Sequence, residues 1–148
     1  MQPPHPTASS ALLISHIVEE LQKFSDSISN SELRDSILSL ITIQDSFRKL
    51  GVSIVVSHGY SATSAKGRIS KYLQYLAGHV VEGEELAVVS GISEYARRVR
   101  ELRKEGWPIL SGSDLNPKDG QPLRPDQYLL EFSLSSDDKP TGDRGPRG

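Results

Sequence analysis

Apolar residues in the first fifty positions recur every three or four residues, which is the spacing of an amphipathic helix. One such stretch covers residues 8–25, and a second covers residues 30–49. Ser29 and Glu32, at the start of the second stretch, have the S-x-x-E spacing of a capping box. Because the link between the two stretches is short, the sequence predicts an antiparallel helical hairpin.

The hairpin is expected to end shortly after residue 50. Gly51 follows the last predicted turn, a position at which glycine commonly ends a helix. The β-branched run V-S-I-V-V-S at residues 52–57 predicts a short strand. We therefore assign residues 8–56 to a hairpin segment that would serve in dimerisation or in docking a partner.

From residue 64 the pattern changes to short helices interleaved with short strands. Gly91 separates two of these helices, and Asp119-Gly120 lies in the long loop between the last two strands. This order predicts a winged helix-turn-helix domain at residues 64–132, in which the second helix of the turn enters a DNA groove and the final hairpin forms the wing. The expected fold class is therefore mostly α (α+β), a helical hairpin followed by this domain. The predicted helices cover residues 64–77, 84–90 and 94–105, and the predicted strands cover residues 79–81, 107–111 and 127–132.

The helix predicted at residues 94–105 has one apolar side, and its outward arc is charged with basic residues in the majority. Ser93 is expected to cap its first turn. Arginine can grip a guanine edge in a bidentate fork or hold a phosphate, so the helix predicts duplex DNA binding. The residues expected on the apolar side are Tyr95, Ala96, Val99 and Leu102. The candidate DNA-contacting residues at this helix are Ser93, Glu94, Arg97, Arg98, Arg100 and Lys104.

Four further basic residues are candidates for phosphate contacts, which position a protein on DNA without specifying a sequence. Lys66 and Arg68 lie where the first helix of the domain begins, and Lys118 and Arg124 lie in the wing. The charged helix also fits a simpler interpretation as a solvated face. Its acidic and basic residues have the i,i+4 spacing that stabilises an isolated helix.

Three segments of this region resemble the winged-helix module of bacterial HNH-type restriction endonucleases. They are G-R-I-S-K-Y-L-Q-Y-L at residues 67–76, G-I-S-E-Y-A-R-R-V-R-E-L-R-K-E-G-W-P-I at residues 91–109 and L-R-P-D-Q-Y-L-L at residues 123–130. The resemblance implies a DNA-reading role for the helix that carries Arg97, Arg98 and Arg100. It also implies a nuclease domain after the wing, but the 16 residues after Phe132 contain no histidine, cysteine or asparagine.

Composition and charge narrow the function classes further. The net charge is −2, yet a nearly neutral chain can still carry a basic face. Cysteine is absent and the four histidines lack metal-site spacing, so we predict no metal, no cofactor and no catalytic residue in this chain. No apolar run approaches the roughly 18 residues of a membrane span. No basic residue precedes Lys23, so we expect no signal peptide and a soluble, cytoplasmic protein.

Residues 1–7 are proline-rich and residues 133–148 are polar, so we expect both ends to be disordered and residues 133–148 to be dispensable for folding. The apolar stripes of the hairpin predict a homodimer. The expected partner is double-stranded DNA, with a nuclease or methyltransferase as a further partner in restriction or phage defence. Two alternatives stay open: a small winged-helix transcription regulator, and a protein-interaction module that does not bind DNA. The sequence also leaves open whether the chain belongs to a longer nuclease.

Overall fold

Two antiparallel helices make up the described part of the first unit of the chain. The computed structural model describes residues 8–135 and divides the chain into two units, Met1–Ala62 and Thr63–Gly148. In the first unit, helix α1 covers Ala8–Ser27 and helix α2 covers Leu33–Ser57. The helical hairpin predicted from the apolar spacing is therefore present.

Small polar side chains contribute much of the contact between α1 and α2. The hydroxyls of Ser10 and Ser53 lie 2.6 Å apart, and the Ser46 hydroxyl donates to Glu20 Oε1 at 2.7 Å. Ile17 and Ile43 are the buried apolar residues of this unit. Two helices joined through serines approach closely but bury little apolar area, which leaves most of their larger apolar side chains at the surface.

Helix α2 corrects three of the predictions for this unit. Residues 52–57 are the last turns of α2 and not a strand, because the packing of Ser53 on α1 outweighs the β-branched propensity of the run. Gly51 lies buried inside the helix instead of after its end. The Ser29 capping box is also wrong: Glu32 occupies the N-cap position with no side-chain cap hydrogen bond.

The second unit contains three helices and a small antiparallel sheet within its described residues. The strands are β1 (Val81–Glu82), β2 (Ile109–Ser111) and β3 (Gln127–Leu130). Their order in the sheet is β1-β3-β2, with Val81 opposite Tyr128 and Ile109 opposite Leu130. The chain as described is thus mostly helical with one three-stranded sheet, which confirms the α+β class. The helices are α3 (Ala65–Tyr75), α4 (Gly83–Ser90) and α5 (Tyr95–Lys104).

One apolar core holds these six elements together. Each helix contributes one face of its apolar spacing, and the sheet closes the core from the other side. Half-buried aromatic residues, among them Tyr72 and Trp107, pack around the edge of this core. The core consists of Ile69, Leu73, Val81, Leu86, Val99, Leu102, Ile109, Tyr128 and Leu130.

Packing in the second unit continues past the predicted domain end at residue 132. Leu134 is buried, and the Gln74 side-chain amide donates to the Ser133 hydroxyl and to the Leu134 carbonyl. Ser133 and Leu134 therefore pack on the second unit, and we expect the segment just after Phe132 to contribute to stability. The rest of the predicted C-terminal tail, residues 136–148, and the predicted head, residues 1–7, lie outside the described residues.

We predict that a chain ending at Phe132 is less stable than a chain ending at Ser135. The shorter chain loses the burial of Leu134, which contributes about 1.5–3 kcal/mol to folding. Thermal unfolding followed by circular dichroism should show a melting temperature at least several degrees lower for the shorter chain. Equal melting temperatures would show that Leu134 adds nothing to stability.

Among residues 8–135, no helix combines the length and the apolar character needed to cross a membrane.

Candidate nucleic-acid interface

A tight turn joins α4 to α5. Gly91 adopts the left-handed conformation, with φ at 70°, and its N–H donates to the Ala87 carbonyl. This is a common way for a helix to end, and glycine adopts it without the steric cost of a side chain. The Ser90 hydroxyl accepts from the N–H of Ile92 at 3.3 Å. The turn is thus fixed from both sides and determines where α5 begins.

Arg68 fastens this turn to α3. Its Nε donates to the Val89 carbonyl at 3.0 Å, and its Nη2 donates to the Ser90 carbonyl. The side chain is 6% exposed, and burial lowers its pKa from the ordinary value. The sequence placed Arg68 among the surface phosphate contacts, but the structure buries its guanidinium against the C-terminus of α4. We therefore assign Arg68 a structural role.

The N-cap of α5 lies one residue later in the sequence than predicted. Tyr95 is the first helical residue, Glu94 stands at the N-cap position, and no side-chain cap hydrogen bond is present. The prediction that Ser93 caps α5 is wrong, because Ser93 belongs to the turn. Ser93 and Glu94 are both exposed, so the structure presents them at the surface beside the start of the helix.

The apolar side of α5 faces the core as predicted. Val99 and Leu102 are buried, and Tyr95 and Ala96 are half-buried. The rings of Tyr95 and Tyr128 meet edge to face, with centroids 6.4 Å apart and planes at 86°. Burial, together with the neighbouring Tyr95, raises the pKa of Tyr128. This contact fixes the rotation of α5 on the sheet and therefore fixes its outward arc.

One edge of α5, which we call the paired edge, uses its charges within the protein. Arg98 donates two hydrogen bonds to the Glu101 carboxylate, at 2.7 and 3.0 Å, and Lys66 of α3 pairs with Glu105. The hydrogen bond from Arg98 holds the pKa of Glu101 below its usual range, with further contributions from Lys66 and Arg97. Arg98 and Lys66 are thus present at the predicted surface, but each is already engaged by a carboxylate.

The opposite edge of α5, which we call the basic edge, consists of Arg97, Arg100 and Lys104. All three are exposed. Among the described residues, the one ion pair of this set joins Arg97 Nε to the Glu101 carboxylate, at a long 3.7 Å. The helix therefore separates its charges around its circumference, with carboxylates concentrated on one edge and three exposed cations on the other. The basic edge keeps three of the predicted DNA-contacting residues together.

Arg103 connects α5 to the loop that follows β2, and sequence reasoning missed it. Its guanidinium donates to the Ser111 hydroxyl at 2.9 Å and lies 3.9 Å from the Asp114 carboxylate. On a helical wheel Arg103 falls near the core side, so it was not counted with the outward cations. Its place in the last turn was the available signal, because side chains there extend beyond the core, and cations there favour the helix dipole.

The loop between β2 and β3 is an ordered hairpin extension. Leu115 pairs with Pro122 in an isolated bridge, and backbone hydrogen bonds join Ser113 and Asp114 to Leu123. Gly112 lies so close to the opposite arm that a Cβ there would meet Pro125 Cα at 2.9 Å. The two arms are therefore held together from base to tip.

Side-chain hydrogen bonds shape the tip of this hairpin. Asn116 Oδ1 accepts from the N–H of Lys118, and Asp119 Oδ1 accepts from the N–H of Gln121. Lys118 is exposed at this tip, as a phosphate contact requires. Arg124, on the returning arm, is also exposed, and its guanidinium lies 3.8 Å from the Glu82 carboxylate. Both predicted wing cations thus lie at the surface, and Arg124 has an acidic neighbour.

Within the described part of the chain, no group of three or more histidine, aspartate or glutamate side chains is arranged to hold a metal ion.

One comparison with known proteins found a match in this unit. Residues 66–131 match the family model of the KpnI N-terminal domain, a module related to restriction endonucleases. The match spans less than half of the chain and lies entirely in the second unit, including α5 and both arms of the hairpin. No curated protein and no solved structure matches the chain significantly.

Proposed function

We propose that the second unit is a winged helix-turn-helix that binds double-stranded DNA. In this assignment α4, the Gly91 turn and α5 form the helix-turn-helix, and α5 enters the major groove. The hairpin between β2 and β3 is the wing. The order of elements and the β1-β3-β2 sheet support the proposal, because they give a three-helix core flanked by a two-armed hairpin.

The basic edge of α5 is the observation that carries this proposal. Arg97, Arg100 and Lys104 are exposed, while Glu101 hydrogen-bonds to Arg98 and Glu105 pairs with Lys66 of α3. The contact between Arg97 and Glu101 is longer, at 3.7 Å. A solvated helix face has no need to separate its charges in this way, whereas a DNA-binding face must remove carboxylates from the phosphates. Lys118 at the wing tip adds a further exposed cation.

Roles can be divided among the candidate residues by position. Ser93 and Glu94 immediately precede α5 and Arg97 lies in its first turn, the end of the helix that reaches base edges in this motif. Arg100, Lys104, Lys118 and Arg124 would hold phosphates. Arg98 and Lys66 would contact DNA only after releasing Glu101 and Glu105, so we place them second in importance.

The match to the KpnI N-terminal domain supports a setting in restriction or phage defence. We propose that the unit supplies DNA recognition to such a system in the cytoplasm, with cleavage by an HNH nuclease domain or a partner nuclease. A methyltransferase that reads the same site is a further candidate partner. A small winged-helix transcription regulator would use the same DNA-binding surface in another setting.

Duplex DNA binding can be tested by fluorescence anisotropy over a range of salt concentrations. If about four phosphates are contacted per chain, log K should fall against log salt with a slope of about −4. A preferred site should first be selected from a randomised duplex library, and affinity for it should exceed affinity for unrelated duplexes. A chain that selects no sequence and shows no binding at about 100 mM salt would contradict the proposal.

A protein-interaction module is the second candidate, and the ion pairs of the paired edge favour it. Glu101 and Glu105 neutralise two cations that a DNA-binding surface would otherwise offer. This function predicts weak, unselective DNA binding that does not depend on Arg97. The anisotropy titration therefore distinguishes the two candidates.

A further inference from the structure

The helical hairpin carries two exposed apolar seams with coiled-coil spacing. The first seam has positions 14, 18 and 21 of α1 and position 28, the residue after its end, and the second has positions 33, 37, 40, 47 and 54 of α2, so the steps are four, three or seven residues. Ser25, Gln44 and Gly51 occupy the remaining positions of the same series. The α1 seam is Ile14, Val18, Leu21 and Ile28, and the α2 seam is Leu33, Ile37, Leu40, Phe47 and Ile54, each between 42% and 78% exposed.

Both seams lie on the same face of the hairpin. On a helical wheel drawn at 100° per residue, each seam can be placed relative to the side of its helix that contacts the other helix. Counted in the direction of increasing residue number, the α1 seam is rotated from that side by about 75° and the α2 seam by about 105°. The helices are antiparallel, since Ser10 meets Ser53 and Glu20 meets Ser46. Rotation in the same sense on two antiparallel helices brings both seams to one side.

This face is not part of the contact between α1 and α2. Its own helix contact is made by serines, Glu20 and a few apolar residues, on a different side of each helix. On a helical wheel the neighbours of the α1 seam include the uncharged Ser15, Gln22 and Ser25, whereas the charged residues Glu19, Lys23 and Asp26 fall farther round the helix. An uncharged, apolar face across two helices is half of the core of a four-helix bundle.

We propose that a second copy of this chain covers the face, so that two hairpins form a four-helix bundle. The nine seam side chains offer on the order of 800 Å² per protomer, which is the contribution of one partner to a standard stable interface. A second copy carries an identical apolar face of the same length. Packing the two faces against each other about a two-fold axis therefore buries both. The segments 1–7 and 136–148 contain one large apolar residue between them, Met1, so neither can cover this face.

The proposal is tested by measuring the mass of the purified full chain by light scattering between about 1 and 100 μM. The expected mass is twice the 16.2 kDa of the chain, falling toward one chain on dilution. A double variant, Val18→Glu with Ile37→Glu, should be a monomer at every concentration, because it places two carboxylates in each copy's seam. A milder variant, Phe47→Ser, should raise the dissociation constant at least tenfold.

Matched controls come from leucines on the other side of the hairpin. Leu12 and Leu38 are 72% and 49% exposed but lie off the seams, so Leu12→Glu and Leu38→Glu should leave the dimer intact. Circular dichroism should show equal helix content in all variants. If the double variant loses helix, the dissociation constant of the Phe47→Ser variant is the test instead. A wild-type monomer at 100 μM overturns the proposal. So does a dimer that survives the seam variants or dissociates in the two controls.

Discussion

Replacing Arg97 by alanine should cost about 1–3 kcal/mol of binding free energy on a preferred duplex, a loss of roughly 5- to 150-fold in affinity. Arg97 lies near the N-terminal end of α5, is exposed, and is the basic-edge residue best placed for a bidentate contact with a base edge. The variant should also flatten the preference between the selected site and unrelated duplexes. Anisotropy titrations on both kinds of duplex measure the two effects together.

Two variants serve as controls for the Arg97 result. Lys118→Ala removes a wing-tip cation and should weaken binding to all duplexes alike, because phosphate contacts carry no sequence information. Arg98→Ala removes an arginine of the same helix that Glu101 already holds, and it should cost less than Arg97→Ala. Arg97→Ala with unchanged affinity and unchanged preference would remove α5 as the reading helix and favour the interaction-module function.

Replacing Arg68 by alanine should destabilise the second unit by about 3 kcal/mol. The variant leaves the carbonyls of Val89 and Ser90 buried without their donors, and each such unsatisfied group costs about 1–3 kcal/mol. For a unit of this size the melting temperature should fall by roughly 10–20 °C. Thermal unfolding monitored by circular dichroism and by Trp107 fluorescence would measure the loss, since Trp107 packs on the core of the same unit.

Two further arginine substitutions, one at another site and one at Arg68 itself, separate this structural role from the loss of a positive charge. Arg34 is an exposed arginine of α2, so Arg34→Ala should change stability by no more than about 0.5 kcal/mol. Arg68→Lys keeps the charge but has a single nitrogen to offer to two carbonyls, so its stability should lie between that of Arg68→Ala and that of the wild type. An Arg68→Ala chain that melts at the wild-type temperature would show that the turn does not depend on this residue.

The sequence predicted the order of elements well because helical spacing and glycine positions are local signals. The apolar side of α5, with Val99 and Leu102 at its centre, follows from 100° steps alone. The run at residues 52–57 was assigned wrongly because β propensity is a weak preference, and contact with α1 decides its conformation. Helix starts at Ser29 and Ser93 failed for a similar reason, since several polar residues near each start could have served as the cap.

The charged residues were harder to assign, because a sequence does not show which partner a flexible side chain selects. Arg68 looks like a surface cation, yet it lies at the border of the apolar face of α3 and turns inward to two carbonyls. Its neighbour Lys66 selects Glu105, which is 39 residues away. The separation of charges on α5 was accessible from the sequence, because Glu94, Glu101 and Glu105 fall at similar angles on a helical wheel.

The hydrogen bonds that join the two arms of the hairpin between β2 and β3 lower the entropy that a ligand's binding would otherwise cost. Asn116 and Asp119 hold the backbone of the tip through their own side chains, so the conformational entropy of this segment is lost when the chain folds. A ligand that meets the tip need not supply that ordering free energy again, and more of the contact energy remains as affinity. The position of the exposed Lys118 at this tip is therefore set by folding and not by the ligand.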